Sequence, residues 1–303
     1  MSDVDRGRNV FAHRLQGRPS ITAEAVTMAR AIEHLKPSDQ RVIDDPYAHL
    51  FLSRPSRAAL AAWSGSLTGR TLRRLGVIGT TFVPLRHRFI DEHLTSALDE
   101  GAEQVVLLGA GYDTRAYRFA DHLAGRPVFE IDLAAISQAK AATIAKHGDL
   151  FPDTNVVRVE IDFETQQLDA TLHEAGFVTG ARTFFAWEGV PMYLTRAAVK
   201  ATLDAVWNMS GGGSMIAHDM WHLVDDPGPM GTARRLAPSA LSFIGEPVTF
   251  FIHPEEMDHF LGRHGFRITD LAMAGELQDR YVPGERALVD ESMYVLAAER
   301  IDR

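Results

Sequence analysis

Apolar and polar positions along this chain follow two rhythms, and the change falls at Gly101. From Ile21 to about Leu98, apolar residues recur every three or four positions, the period of amphipathic helices. ITAEAVTMARAIEHL carries that period, with Thr22 placed as a cap. RAALAAWSGSLTGRTLRRLGVIG mixes small apolar and basic residues, and PLRHRFIDEHLTSALDEG reads as a helix closed by Gly101. Beyond that glycine, short apolar runs alternate with helical stretches. EQVVLLGA, RPVFEID, TNVVRVEIDF, ARTFFAWEG and GSMIAHDM read as strands. YDTRAYRFADHLAG, LAAISQAKAATIAKHG, TQQLDATLHEAG and TRAAVKATLDAVWNMSGG read as the helices between them.

Strands alternating with helices predict an α/β fold, a doubly wound parallel sheet with right-handed crossovers. HPEEMDHFLGRHGF adds a helix, and RITDLAM and ESMYVLAAER an antiparallel pair, making seven strands. Residues 1–85 form an N-terminal arm and helical cap, the first 20 being polar and rich in arginine and glycine. Residues 86–303 form the core, interrupted at 220–253 by Pro, Gly and polar clusters that read as a lid insertion over the acceptor site. Both the arm and the insertion are expected to move and to order around a ligand.

The chemistry gathers where strands end, the place at which open α/β sheets bind ligands. Gly109-Ala110-Gly111 starts like a dinucleotide fingerprint, but Thr114 stands in place of the third glycine. Asp113 puts negative charge where a pyrophosphate would need the bare amides of a helix start, which argues against NAD. The second strand ends in Glu130 and Asp132, and Asp132 lies 21 residues past Gly111, where an acid can hold two ribose hydroxyls. Either acid could equally be a helix cap. Asp162 with Phe163 ends the third strand and suits an adenine, while Glu188 ends the fourth.

Together these stretches resemble the leucine carboxyl methyltransferase-like family of S-adenosylmethionine-dependent methyltransferases, in its bacterial branch. The resemblance is carried by TAEAVTMARA, DDPYAHLF, LRHRFID, VVLLGAGYDTRAYRF, FEIDLAAISQAKA, VEIDF and WEGVPMYL, and runs from about Thr22 to the final strand. It implies a Rossmann-like methyltransferase sheet and S-adenosyl-L-methionine as cofactor. Arg86 would hold the methionine carboxylate as a fork, and Glu188 would face the amino group. Gly109, Ala110, Gly111 and Asp113 would form the corner under the cofactor. Asp132 and Leu133 would take the ribose, and Asp162 and Phe163 the adenine. Tyr193 would line the methyl-transfer site. Thr22-Ala23 stands where the eukaryotic members carry a lysine, which puts a phosphatase-subunit substrate in doubt.

Composition removes some alternatives. Lys+Arg 31 against Asp+Glu 40 gives a net charge of −9, unsuited to nucleic acid. The basic run RTLRRLG then reads as a solvated face. With no cysteine there is no disulfide or thiolate chemistry, no membrane-length apolar stretch exists, and a cytoplasmic location is expected. No metal site is read. His218 and His222 straddle a strand end, whereas His218 with Asp219 could serve as a base and its orienting acid. The acceptor is then a small molecule or peptide, methylated on oxygen. A carboxylate is favoured, a phenol or alcohol in secondary metabolism is the alternative, and a non-catalytic nucleotide-binding relative and a homo-oligomer stay open.

Overall fold

Residues 21–66, 82–163, 166–223, 248–284 and 291–302 are described in the computed structural model. The N-terminal arm, the basic run at 70–76 and most of the 220–253 insertion lie outside the described residues. The cap begins with α1 (Ile21–His34), a short 3-10 turn at Ala48–Phe51 and α2 (Arg54–Gly65). Ser53 caps α2 by accepting from the Ser56 amide. Next comes α3 (Phe82–Asp99), whose buried Leu85, Phe89, Ile90, Leu94 and Leu98 recur at helical spacing. That stripe also buries Arg86, His87 and Asp91. Gly101, at φ +96°, ends the run, with the Ala102 amide donating to the Ala97 carbonyl. The division expected between residues 85 and 86 falls inside α3, so cap and core share this helix.

Seven strands follow: β1 (Gln104–Leu108), β2 (Val128–Asp132), β3 (Val156–Glu160), β4 (Thr183–Trp187), β5 (Met215–Trp221), β6 (Phe266–Met273) and β7 (Met293–Arg300). They form one sheet in the order β3-β2-β1-β4-β5-β7-β6. The first five are parallel, while β7 runs antiparallel between β5 and β6. β1 and β4, side by side at the centre, are buried at every position, as parallel strands covered on both faces must be. Successive side chains point to opposite faces. Val106, Phe185, Trp187 and Ile216 join one core cluster, with Val199 and Leu203 of α8 (Arg196–Met209) and Met257 of α9 (Pro254–Gly262). Val105, Leu107, Phe184 and Ala186 join the other, under α3.

Three expectations change. The helix expected over YDTRAYRFADHLAG is two short ones, α4 (Arg115–Arg118) and α5 (Ala120–Leu123), separated at Phe119. Arg115 and Arg118 both turn inward to Asp91 of α3, which anchors α4 there. Two further helices on the sheet, α6 (Ala134–Lys146) and α7 (Leu168–Glu174), match the reading, but α10 (Ala274–Tyr281) was unforeseen. β5 extends to Trp221, into the expected insertion, whose last residues return to the sheet. There the Thr249 and Phe250 amides donate to the Met192 carbonyl, and Ile252 to Trp221.

Phe89 is fully buried between α3 and the sheet, so Phe89→Ala is expected to destabilise the protein by about 3–5 kcal/mol in chemical denaturation. Leu150→Ala, at an exposed position, should change stability by less than about 0.5 kcal/mol. Equal losses would contradict the placement of α3.

Candidate functional site

The strand order reverses between β1 and β4, and the crevice beyond their C-terminal ends is where the expected residues meet. Gly109 leaves β1 at φ +70°, and a Cβ there would stand 2.3 Å from Val190 Cγ2, so only glycine lets the β4 loop approach. Gly111 has φ +48°, and a Cβ on it would meet nothing nearer than the Gly109 carbonyl at 3.9 Å. The corner closes as a turn, with the Asp113 amide donating to the Ala110 carbonyl at 2.7 Å. At the end of β2, Asp132 spans two backbone amides, Gly111 at 2.5 Å and Leu133 at 2.7 Å. Burial raises its carboxyl to about 6 despite those donors.

Behind the corner lies a connected set of buried charges. Glu188, following β4, accepts from Arg86 Nε at 2.7 Å and from Arg115 Nη1 at 2.8 Å. It also faces His87 Nδ1 at 2.6 Å. Burial would raise the Glu188 carboxyl, but His87, Arg86 and Arg115 outweigh it and hold it well below the usual range. Arg115 also binds Asp113 and, at 2.6 Å, Asp91, which takes Arg118 at 2.7 Å. Asp113 is held at about 2, because Arg115 overcomes the penalty of burial. Arg86 Nη1 binds Asp219 of β5, whose other oxygen accepts the Gly189 amide at 2.6 Å. Here burial prevails and the Asp219 carboxyl is raised. Burial also lowers the His87 imidazole despite its carboxylate neighbour.

The set therefore holds three guanidinium groups, Arg86, Arg115 and Arg118, against four carboxylates, Asp91, Asp113, Glu188 and Asp219. Its net negative charge beside an open glycine corner suits a ligand carrying a cationic group.

Other expected residues are placed as follows. Asp162 and Phe163 follow β3, next to the end of β2, with Phe163 packed partly against the core. The Asp162 amide donates to Gln166 Oε1 at 2.8 Å. Tyr193 sits on a 3-10 turn at Pro191–Tyr193, half-buried beyond β4. The expected pairing of His218 with Asp219 is not formed. As neighbours on one strand they point to opposite faces, and Asp219 is committed to Arg86. The His218 ring instead has Nδ1 3.4 Å from the Asp219 carbonyl, and burial lowers it to about 4. Its Nε2 and the Trp187 Nε1 opposite it on β4 are buried, with no hydrogen-bond partner among the described residues.

Arg86 is also more engaged than expected, since among the described residues only its Nη2 makes no hydrogen bond. His87, Asp91, Arg115 and Arg118 were missed. Their signal was present as charged residues within the apolar stripe of α3 and as arginines directly after the corner. Among the described residues, no group of three or more His, Asp or Glu side chains could hold a metal ion.

The chain matches the leucine carboxyl methyltransferase family over residues 23–207. A protein of Rhodococcus jostii (strain RHA1) named as an S-adenosyl-L-methionine-dependent methyltransferase is 36% identical over 203 residues, covering 66% of this chain and 65% of that relative. One of the same name from Mycolicibacterium paratuberculosis is 29% identical over 92% of this chain and 94% of its own length. Among solved structures, a duf574 family protein from Streptomyces avermitilis superposes with a TM-score of 0.54 at 12% identity. That alignment covers 90% of this chain and 96% of that one, and the likeness is one of fold.

Removing one partner from a buried ion pair leaves the other charge uncompensated. Asp91→Asn, which deprives Arg115 and Arg118 together, is expected to lower stability by about 3–5 kcal/mol in urea denaturation. A loss below about 1 kcal/mol would show that the cluster does not hold α4 to α3.

Proposed function

The chain belongs to the leucine carboxyl methyltransferase family of S-adenosylmethionine-dependent methyltransferases, and on that premise we propose that it methylates a carboxylate oxygen of a small molecule or peptide. The bound cofactor supplies an electrophilic methyl group carried on a sulfonium. The donor set fits such a group: the net negative charge behind the corner suits a sulfonium and an ammonium, and Asp132 is a carboxylate suited to a diol. In this reading Asp132 and the Leu133 amide hold the ribose, and Asp162 with Phe163 the adenine. Glu188 faces the ammonium, and the Arg86 Nη2, which makes no hydrogen bond among the described residues, faces the carboxylate. Gly109, Ala110, Gly111 and Asp113 shape the floor, and Tyr193 borders the acceptor.

The observation that carries the carboxylate is the separation of His218 from Asp219. A phenol near pH 10 must lose a proton to a base, whereas a carboxylate is ionised above about 4. An imidazole lowered to about 4, with no acid to orient it among the described residues, is a poor base for a phenolic proton. A carboxylate needs only to be oriented and desolvated, which binding residues and excluded water supply. The base role is accordingly not assigned to His218.

Mild alkali separates the readings. Incubation with methyl-labelled cofactor and a panel of carboxylic acids and phenols should yield a product that releases labelled methanol, as an ester does. An alkali-stable product, formed by the parent and lost in His218→Gln, would overturn the carboxylate in favour of a hydroxyl.

Cofactor binding should also depend on pH through Asp132. Above about 6 the group is ionised and can accept from a diol; below that value it is protonated. Affinity for S-adenosylhomocysteine is therefore expected to be level above pH 7 and to fall up to tenfold per pH unit below about 6. In Asp132→Asn it should be weak and flat by calorimetry. A parent profile flat from pH 5 to 8 would remove Asp132 from the site.

A further inference from the structure

Two stretches that single themselves out in the cap, TAEAVTMARA and DDPYAHLF, have no part in the site described above, yet both reach the glycine corner. Arg30 of α1 is 1% exposed although it carries a guanidinium. Its Nη1 binds Asp45 Oδ2 at 2.8 Å, and its Nη2 donates to the Tyr112 carbonyl at 2.7 Å. Weaker contacts run from Nη2 to Thr27 Oγ1 at 3.3 Å and from Nη1 to Thr114 Oγ1 at 3.4 Å. Asp45 is fully buried and satisfied on both oxygens. Oδ1 accepts the Tyr47 and Ala48 amides at 3.1 Å, and Oδ2 accepts the Thr114 hydroxyl at 2.8 Å. Burial would raise the Asp45 carboxyl, but Arg30, Arg118 and the Thr114 hydroxyl outweigh it, so it stays ionised.

The contact with Tyr112 falls on a particular peptide. The Tyr112 carbonyl and the Asp113 amide belong to one planar unit. Arg30 holds its oxygen, and the Ala110 carbonyl holds its N–H at 2.7 Å. Rotation of that plane would carry the turn with it, including the Gly111 amide that faces Asp132. Thr114, directly after the turn, is tied to Asp45 and accepts from Arg118 Nε at 3.2 Å, so both sides of the corner are anchored. Phe51 stacks on Tyr112 at 5.4 Å, adding an apolar contact from the same cap.

We infer that Arg30 is a positioning residue for cofactor binding: with Asp45 it fixes the Tyr112–Asp113 peptide, so the N-terminal cap sets the affinity of the glycine corner. The inference rests on the reading of Gly109–Asp113 and Asp132 as the cofactor corner. A bound cofactor must, by linkage, stabilise the cap in return.

The test is the affinity for S-adenosylhomocysteine, measured by calorimetry at 10 °C on the full chain, alongside thermal unfolding. Arg30→Met and Asp45→Asn should each weaken binding at least tenfold in protein that is folded by circular dichroism. The double variant should be little worse than either single, because the two act as one unit. Arg30→Lys keeps a charge for Asp45 but cannot also span to Tyr112, and it should bind three- to tenfold more weakly even where Arg30→Met does not fold. Asp132→Ala serves as the reference for the corner itself. Folded Arg30 variants that bind within twofold of the parent, while Asp132→Ala binds poorly, would overturn the inference and leave the corner intact. Undiminished binding by Asp132→Ala would overturn the corner assignment and the inference together. A lower unfolding temperature with unchanged affinity would give Arg30 a structural role only, which also overturns it.

Discussion

The Glu188 carboxylate is the constraint around which the functional end of this fold is arranged. A carboxylate without water must be surrounded by donors, and three side chains from two helices converge on it: Arg86 and His87 from α3, and Arg115 from α4. The two arginines are shared with further acids, Arg86 with Asp219 on β5 and Arg115 with Asp113 in the corner and Asp91 on α3. The positions of α3, α4, the β4 end and β5 are thus fixed relative to one another by ion pairs as well as apolar packing. Such clusters contribute less to net stability than their Coulomb energy suggests, because desolvation offsets much of the attraction. They do penalise any arrangement that leaves a member unpaired, and this keeps the crevice in one geometry.

That geometry also relates the charge of the site to the chemistry of the family. Two loops that end adjacent strands, at Gly109 and Gly189, both take positive φ, and Gly189 lies against the Arg86 guanidinium. A surplus of carboxylates behind them suits a cationic ligand group, and among the described residues the Arg86 Nη2 makes no hydrogen bond. The cap belongs to the same construction. Through Arg30 and Asp45 its buried charges continue into the corner, joined to the Glu188 cluster by way of Thr114 and Arg118.

Much of this was legible in the sequence, for identifiable reasons. The runs VVLLG and TFFAW are uninterrupted because β1 and β4 are covered on both faces, and the glycines after β1 stand where backbone must bend sharply. Acids at strand ends are local features and were visible as such. What was not legible depends on contacts distant along the chain. Arg86 meets Glu188 and Asp219 across 102 and 133 residues, so its engagement could not be read from LRHRFID alone. The anchoring of α4 has the same origin, since Asp91 draws in Arg115 and Arg118 across 24 and 27 residues. The pairing of His218 with Asp219 failed for a local reason: adjacent strand residues face opposite sides of a sheet.

If the Glu188 cluster serves the cofactor, S-adenosylhomocysteine must occupy the corner between β1 and β2 beside it. A crystal structure with S-adenosylhomocysteine measures this most directly. It should place the ribose hydroxyls within about 3 Å of Asp132, with Glu188 still paired to Arg115. A ligand bound elsewhere, or one whose ribose lies away from Asp132, would contradict it.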